Sequence, residues 1–193
     1  MKFEYLLKNN AGWAEIIFEH SNIILNYDIS FLGGDLTDLL VGILLLTGHQ
    51  KHLKILTDAF DNFRDNSEQF IWSIDEEGYD IKFIFKILKN NKEIALKIIE
   101  YDGNSNKKCV FKNIVNFDEL IDSLLKSCSD ILNKYGIIGY YQNFWVKFPL
   151  EYYLILKDYK ERKLVFDFFY ERNNEKIQNM ERTNLKDEIK YLQ

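Results

Sequence analysis

Residues 79–101 read YDIKFIFKILKNNKEIALKIIEY, two runs of alternating character joined by Asn90-Asn91. In the first run Tyr79, Ile81, Phe83, Phe85 and Ile87 share one face, while Asp80, Lys82 and Lys86 take the other. A repeat of two is that of a pleated strand with one buried face. Asparagine tolerates positive φ, so Asn90-Asn91 predicts a two-residue hairpin turn and antiparallel pairing. The pattern continues on both sides. Residues 69–75 lead in through Glu76-Glu77-Gly78, and 107–114 follow through Asp102-Gly103-Asn104. Four strands in meander order are expected, at 69–75, 79–89, 92–101 and 107–114.

Further out, residues 2–8 alternate with Phe3, Tyr5 and Leu7 on one face, and Asn9, Asn10 and Gly12 make a turn. Strands at 13–20 and 22–30, joined near Ser21-Asn22, complete a three-stranded meander. Between the two groups lies 35–47, apolar nearly all round, with Asp35 as its N-cap and Gly48 as its stop. Such a helix belongs at the centre of a fold. Residues 49–67 are less regular and read as a short helix or an ordered loop.

A second helix is predicted over 116–136. Phe117, Leu120, Ile121, Leu124, Leu125, Cys128, Ile131, Leu132 and Tyr135 recur at three- and four-residue steps. Asn116 and Glu119 resemble a capping box, and Gly136 marks the expected end. Pro149 opens another helix, about 149–162. The sum is an α+β domain over 1–163: an antiparallel meander sheet of about seven strands covered by helices. Residues 164–193 form a helical C-terminal arm that begins with the apolar LVFDFFY and continues as a mixed-charge stretch.

A chain of 193 residues, 47% hydrophobic and 16% aromatic, can bury one good core and is not disordered. The net charge of −5 argues against nucleic acid, which demands a basic footprint. MKFEYLLKNN lacks the apolar stretch of a secretory signal. A helix over 35–47 is about 20 Å long, too short for a bilayer core of roughly 30 Å. A cytoplasmic protein without a membrane partner is expected. Cys109 and Cys128 fall on different elements without metal spacing, and read as buried thiols in a reducing compartment, with a disulfide between them the alternative.

Candidate chemistry is thin. His49 and His52 lie three apart, with Asp58 and Asp61 the nearest acids, but neither HExxH nor a Cys/His set accompanies them. Surface histidines in a loop are the better account. His20 has no nucleophile that spacing identifies. Gly33-Gly34 precedes a helix, yet Asp35 and Asp38 would repel phosphate, and no Lys or Arg lies between Lys8 and Lys51. Glu76 and Glu77, at a hairpin tip, read as turn residues rather than a glycosidase pair. No catalytic residue, metal or cofactor is expected.

One charge feature stands out. Between 58 and 80, Asp58, Asp61, Asp65, Glu68, Asp75, Glu76, Glu77 and Asp80 face Arg64 alone, a net charge of −7. Phe60, Phe63, Phe70 and Trp72 are interleaved with them. A solvated loop that keeps the protein soluble is one reading. The other is an acidic face with aromatic anchors for a basic protein, where charge steers association and aromatics supply binding energy. The residues expected to carry it are Asp58, Phe60, Asp61, Phe63, Asp65, Glu68, Asp75, Glu76, Glu77 and Asp80.

Several stretches together resemble a broad family of uncharacterised bacterial proteins. They are Trp13 opening a strand, SFLGGDLTDLLVGILLLTG at 30–48, FIWSID at 70–75, and FDELIDSLLKSCSDILNKYGIIGYYQNFWVKFPLEYYLIL at 117–156. The resemblance covers about 13–160 and is one of spacing and hydrophobic pattern. It implies an immunity protein, encoded beside a secreted toxin. The family has no established active site, so it carries over no functional residue. This chain departs from the pattern in the acidic insertion around 51–67 and beyond about 163, where individual specificity is expected.

The leading expectation is therefore a non-enzymatic binding module, an immunity-type inhibitor that occludes a basic toxin domain with an acidic surface. One alternative is an enzyme or small-ligand binder whose pocket between sheet and helices is lined by Tyr140, Tyr141, Trp145 and Tyr152. Another is a homodimer built through the C-terminal arm, because LVFDFFY is too apolar to stay exposed.

Overall fold

A computed structural model describes residues 1–8, 12–30, 36–48, 68–76, 79–89, 91–102 and 106–161. The architecture is α+β. Strands β1 (Lys2–Leu7), β2 (Trp13–His20) and β3 (Ile23–Ser30) form one antiparallel meander. Strands β4 (Gln69–Glu76), β5 (Tyr79–Ile87), β6 (Glu93–Tyr101) and β7 (Lys107–Asn116) form a second. The helices are α1 (Leu36–Leu46), α2 (Phe117–Phe144) and α3 (Leu150–Glu161). The expected C-terminal arm, 164–193, and the irregular stretch 49–67 lie outside the described residues.

The seven strands stand where alternation placed them, but they divide into sheets of three and four rather than one. The registers explain why the sheets face each other. Phe3↔Phe18, Tyr5↔Ile16 and Ile16↔Tyr27 align one apolar face. Phe70↔Phe85, Trp72↔Phe83 and Phe83↔Ile98 align another. Two apolar faces bury themselves most fully against each other. Phe3 meets Trp72 and Phe83 with ring centroids 6.2 and 6.3 Å apart, and Phe18 meets Phe111 at 4.8 Å. The Tyr27 hydroxyl donates to Glu100 at 3.0 Å across the same interface.

Helix α1 completes this interior. Leu36, Leu39, Leu40, Val41, Ile43, Leu44 and Leu46 are all buried, and the helix packs on β4 and α3. Gly42 lets it approach: a Cβ there would collide with the ring of Phe70, itself stacked on Phe85 at 5.6 Å. Gly48, at φ +94°, ends the helix as expected.

Helix α2 starts where the sequence signals it, with the Asn116 side chain accepting from the Glu119 amide at 3.0 Å. It does not stop at Gly136. That glycine takes φ 64° and ψ −177°, the helix kinks, and it resumes to Phe144. The resumed turns are held because Tyr140 and Phe144 are fully buried. Tyr5 packs on Phe144 at 5.8 Å, and Tyr140 packs on Phe148 at 5.3 Å. Trp145, in the left-handed region at φ 65°, closes the helix by donating to the Tyr141 carbonyl.

The β5–β6 connection is also longer than the expected two-residue turn. The Leu88 amide bonds the Glu93 carbonyl at 2.9 Å, leaving four residues in the loop, with Asn91 at φ 54°. On the far side of β6 the register passes from Ile98↔Phe111 to Ile99↔Cys109. Val110 is the extra residue of a β-bulge.

Candidate functional site

The edge of β1 shows how this fold closes its polar seams. Its outward amides have no neighbouring strand, and α2 takes that place. Ser123 Oγ accepts from the Phe3 amide at 2.6 Å and donates to the Phe3 carbonyl at 3.1 Å. Ser127 Oγ does the same for Tyr5, at 2.7 and 3.2 Å. Four helical residues rise about 6 Å and two strand residues about 6.8 Å, so serines four apart match strand residues two apart. A hydroxyl is both donor and acceptor, and so can satisfy both backbone groups of one residue. The edge is thereby blocked against pairing with another chain.

A groove of about 470 Å³ runs above this seam between β1 and α2. Its charges are already engaged. Lys2 pairs with Glu4 at 2.9 Å and Lys126 with Asp130 at 2.6 Å, the latter contact holding the lysine pKa above its ordinary value. Among the described residues, no three His, Cys, Asp or Glu side chains gather as a metal-binding group. Nor is any helix among the described residues long and apolar enough to cross a membrane.

The aromatic set of the ligand-pocket alternative does not converge. Tyr140 and Tyr152 are buried in the core, while Tyr141 and Trp145 are about half exposed. Burial pushes the Tyr152 phenol up to about 12, with a smaller contribution from the Glu151 carboxylate. His20 sits edge-on to Phe111 at 5.7 Å. Cys128 is buried as expected, but Cys109 is exposed, against the expectation of two buried thiols; both are free, and burial raises the Cys128 pKa well above the usual range.

Of the residues expected to form the acidic face, Asp58, Phe60, Asp61, Phe63, Asp65 and Glu77 lie outside the described residues, as do His49 and His52. Glu68 is exposed just before β4, and its carbonyl accepts from Ile87 at 2.8 Å. Asp75 and Glu76 end β4, and Asp80 lies near the start of β5, directly opposite Asp75 in the register. Asp80 is exposed. Three acids thus occupy one end of the β4–β5 hairpin.

Phe70 and Trp72 require a correction. They are 2% and 1% exposed, facing the core beside Ile74, and are not anchors for a partner. Strand alternation puts 70, 72 and 74 inward while 75 and 80 pair at the outer end. Exposed apolar surface lies elsewhere, with Ile137, Ile138, Tyr141 and Trp145 on the resumed part of α2.

No protein-family model matches the chain, and no curated protein or solved structure matches it either.

Proposed function

We propose that this chain is a non-enzymatic protein-binding module, an immunity-type inhibitor that occludes a basic surface of a bacterial toxin with the acidic region 58–80. The observation that carries this reading is the concentration of charge. Residues 58–80 hold −7 of a total of −5, which leaves the rest of the chain at +2. The hairpin register sets Asp75 against Asp80. Asp80 makes no ion pair among the described residues, so its charge is available. The partner is a cytoplasmic basic domain, and inhibition works by covering the surface that binds the toxin's own substrate.

The test is a titration of the full chain with the product of a neighbouring toxin gene, where one exists, at low and high salt. Binding that weakens steeply with salt, and disappears when the acids of 58–80 are reversed to lysine, supports the mechanism. Affinity indifferent to both changes rejects it.

A further inference from the structure

Of the strands that end the two sheets, β1 is closed by the serines of α2, and β4 lies against α1. β7 carries a bulge together with Lys107, Lys108 and Lys112, features that discourage pairing with another strand. β3 has no bulge, proline or lysine, and among the described residues β2 is its one hydrogen-bonded neighbour. The direction of its amides follows from β1. Phe3 turns its amide and carbonyl to Ser123, away from β2, so the residue opposite it, Phe18, turns toward β3 and bonds Leu25. Alternation then points the amides and carbonyls of Ile24, Asn26 and Asp28 away from the sheet. Among the described residues no hydrogen bond reaches these groups. Ile24 is 63% exposed, and Asn26 and Asp28 are exposed as well.

The free charge beside this edge has one sign. On the outer face of the same sheet Glu15 stands opposite Asp28, and Glu19 opposite Ile24. Asp28 is paired with Lys8, and Lys2, opposite Glu19, is held by Glu4 at 2.9 Å. Glu15 and Glu19 make no ion pair among the described residues. We propose that the edge of β3 accepts, as an added strand, an extended segment of another protein that carries lysine or arginine at alternate positions. Backbone groups supply the pairing common to any added strand, and the alternate side chains supply the selection. Basic residues on the outer face of the added strand start two strand spacings, about 9.6 Å, from β2, within reach of Glu15 and Glu19. Their aliphatic stems cover Ile24 on the way. A second copy of the chain fits less well, because its own β3 would bring Asp28 and no base. Nucleic acid and anionic lipid are repelled by the same acids. This edge is separate from the region 58–80, and a peptide suffices to test it.

The experiment titrates the full chain with a short labelled peptide that alternates lysine and valine, read by fluorescence anisotropy, while amide hydrogen exchange by NMR locates the contact. Binding that weakens in high salt is expected, with slowed exchange at the Ile24, Asn26 and Asp28 amides. The same peptide with glutamate in place of lysine should not bind. Asn26→Pro removes an amide that faces away from β2, a change an edge strand tolerates, and should abolish binding. Glu15→Lys combined with Glu19→Lys leaves the backbone edge intact and should weaken binding about tenfold or more. Circular dichroism melts check the folding of both variants, and the double reversal alone decides if the proline variant is unfolded. Failure of the lysine peptide to bind, equal binding by the glutamate peptide, unchanged exchange at the three amides, or binding indifferent to the folded variants overturns the proposal. Protection of those amides without peptide, rising with protein concentration, would make a second copy the occupant and overturn it as well.

Discussion

Replacing Ser127 by alanine removes both hydrogen bonds that hold the edge of β1 at Tyr5. Ser127 is 4% exposed and Tyr5 fully buried, so water cannot easily take over. A buried amide left without an acceptor costs about 1–3 kcal/mol, and the orphaned carbonyl adds to that. Alanine returns at most about 0.5 kcal/mol through its better helix propensity. The net expectation is a loss of about 2 kcal/mol. Ser123 bonds Phe3 at a part-buried position, where solvent can substitute, so Ser123→Ala should cost about 1 kcal/mol or less. Urea unfolding followed by circular dichroism measures both. With m near 2–3 kcal/mol/M for a chain of this size, Ser127→Ala should lower the midpoint by about 0.7–1 M at unchanged m. Hydrogen exchange adds a local readout, since the Tyr5 amide should lose more protection than its neighbours in the sheet. A midpoint shift under about 0.2 M, or a Tyr5 amide as protected as before, would show that α2 merely lies beside the strand.

Three further outcomes follow from the packing. Gly42→Ala should destabilise by about 1–3 kcal/mol despite alanine's helix propensity, because the Phe70 ring is stacked on Phe85 and has no room to move; thermal melts measure it. A thiol reagent should titrate one cysteine, Cys109, in the native protein and two after unfolding, because Cys128 is buried and its raised pKa keeps the thiol protonated. The Tyr152 phenol, raised from 10.0 to about 12 by burial first and by Glu151 second, favours its neutral form more in the folded state. Its contribution is complete below pH 10 and is lost as pH rises toward 12, so Tyr152→Phe should flatten the alkaline decline in stability seen by denaturant titration.

Much of this fold is legible in local periodicity. The alternation of Tyr79 to Ile87, the three- and four-residue steps from Phe117 to Ile131, and the caps at Asn116 and Gly48 are statements about neighbours in sequence, and each appears in place. What depends on distant contacts was not legible. Nothing local says that β3 and β4 belong to different sheets, since that follows from how two apolar faces meet. Gly136 carries a stop signal, but Tyr140 and Phe144 bury themselves beyond it and draw the helix onward. Ser123 and Ser127 carry no local signal of their role, because their partners lie 120 and 122 residues away. Phe70 and Trp72 could have been read correctly. Their step of two, shared with Ile74, places them inward, whereas their acidic neighbours in sequence drew attention to a surface they do not reach.

The proposed role of the acidic region is tested most directly in cells that express the product of any toxin gene found beside this one. The account predicts that the intact chain restores growth, and that a variant with Asp58, Asp61, Asp65, Glu68, Asp75, Glu76, Glu77 and Asp80 changed to the matching amides folds but does not protect. Equal protection by that variant would contradict the claim that these carboxylates recognise the partner.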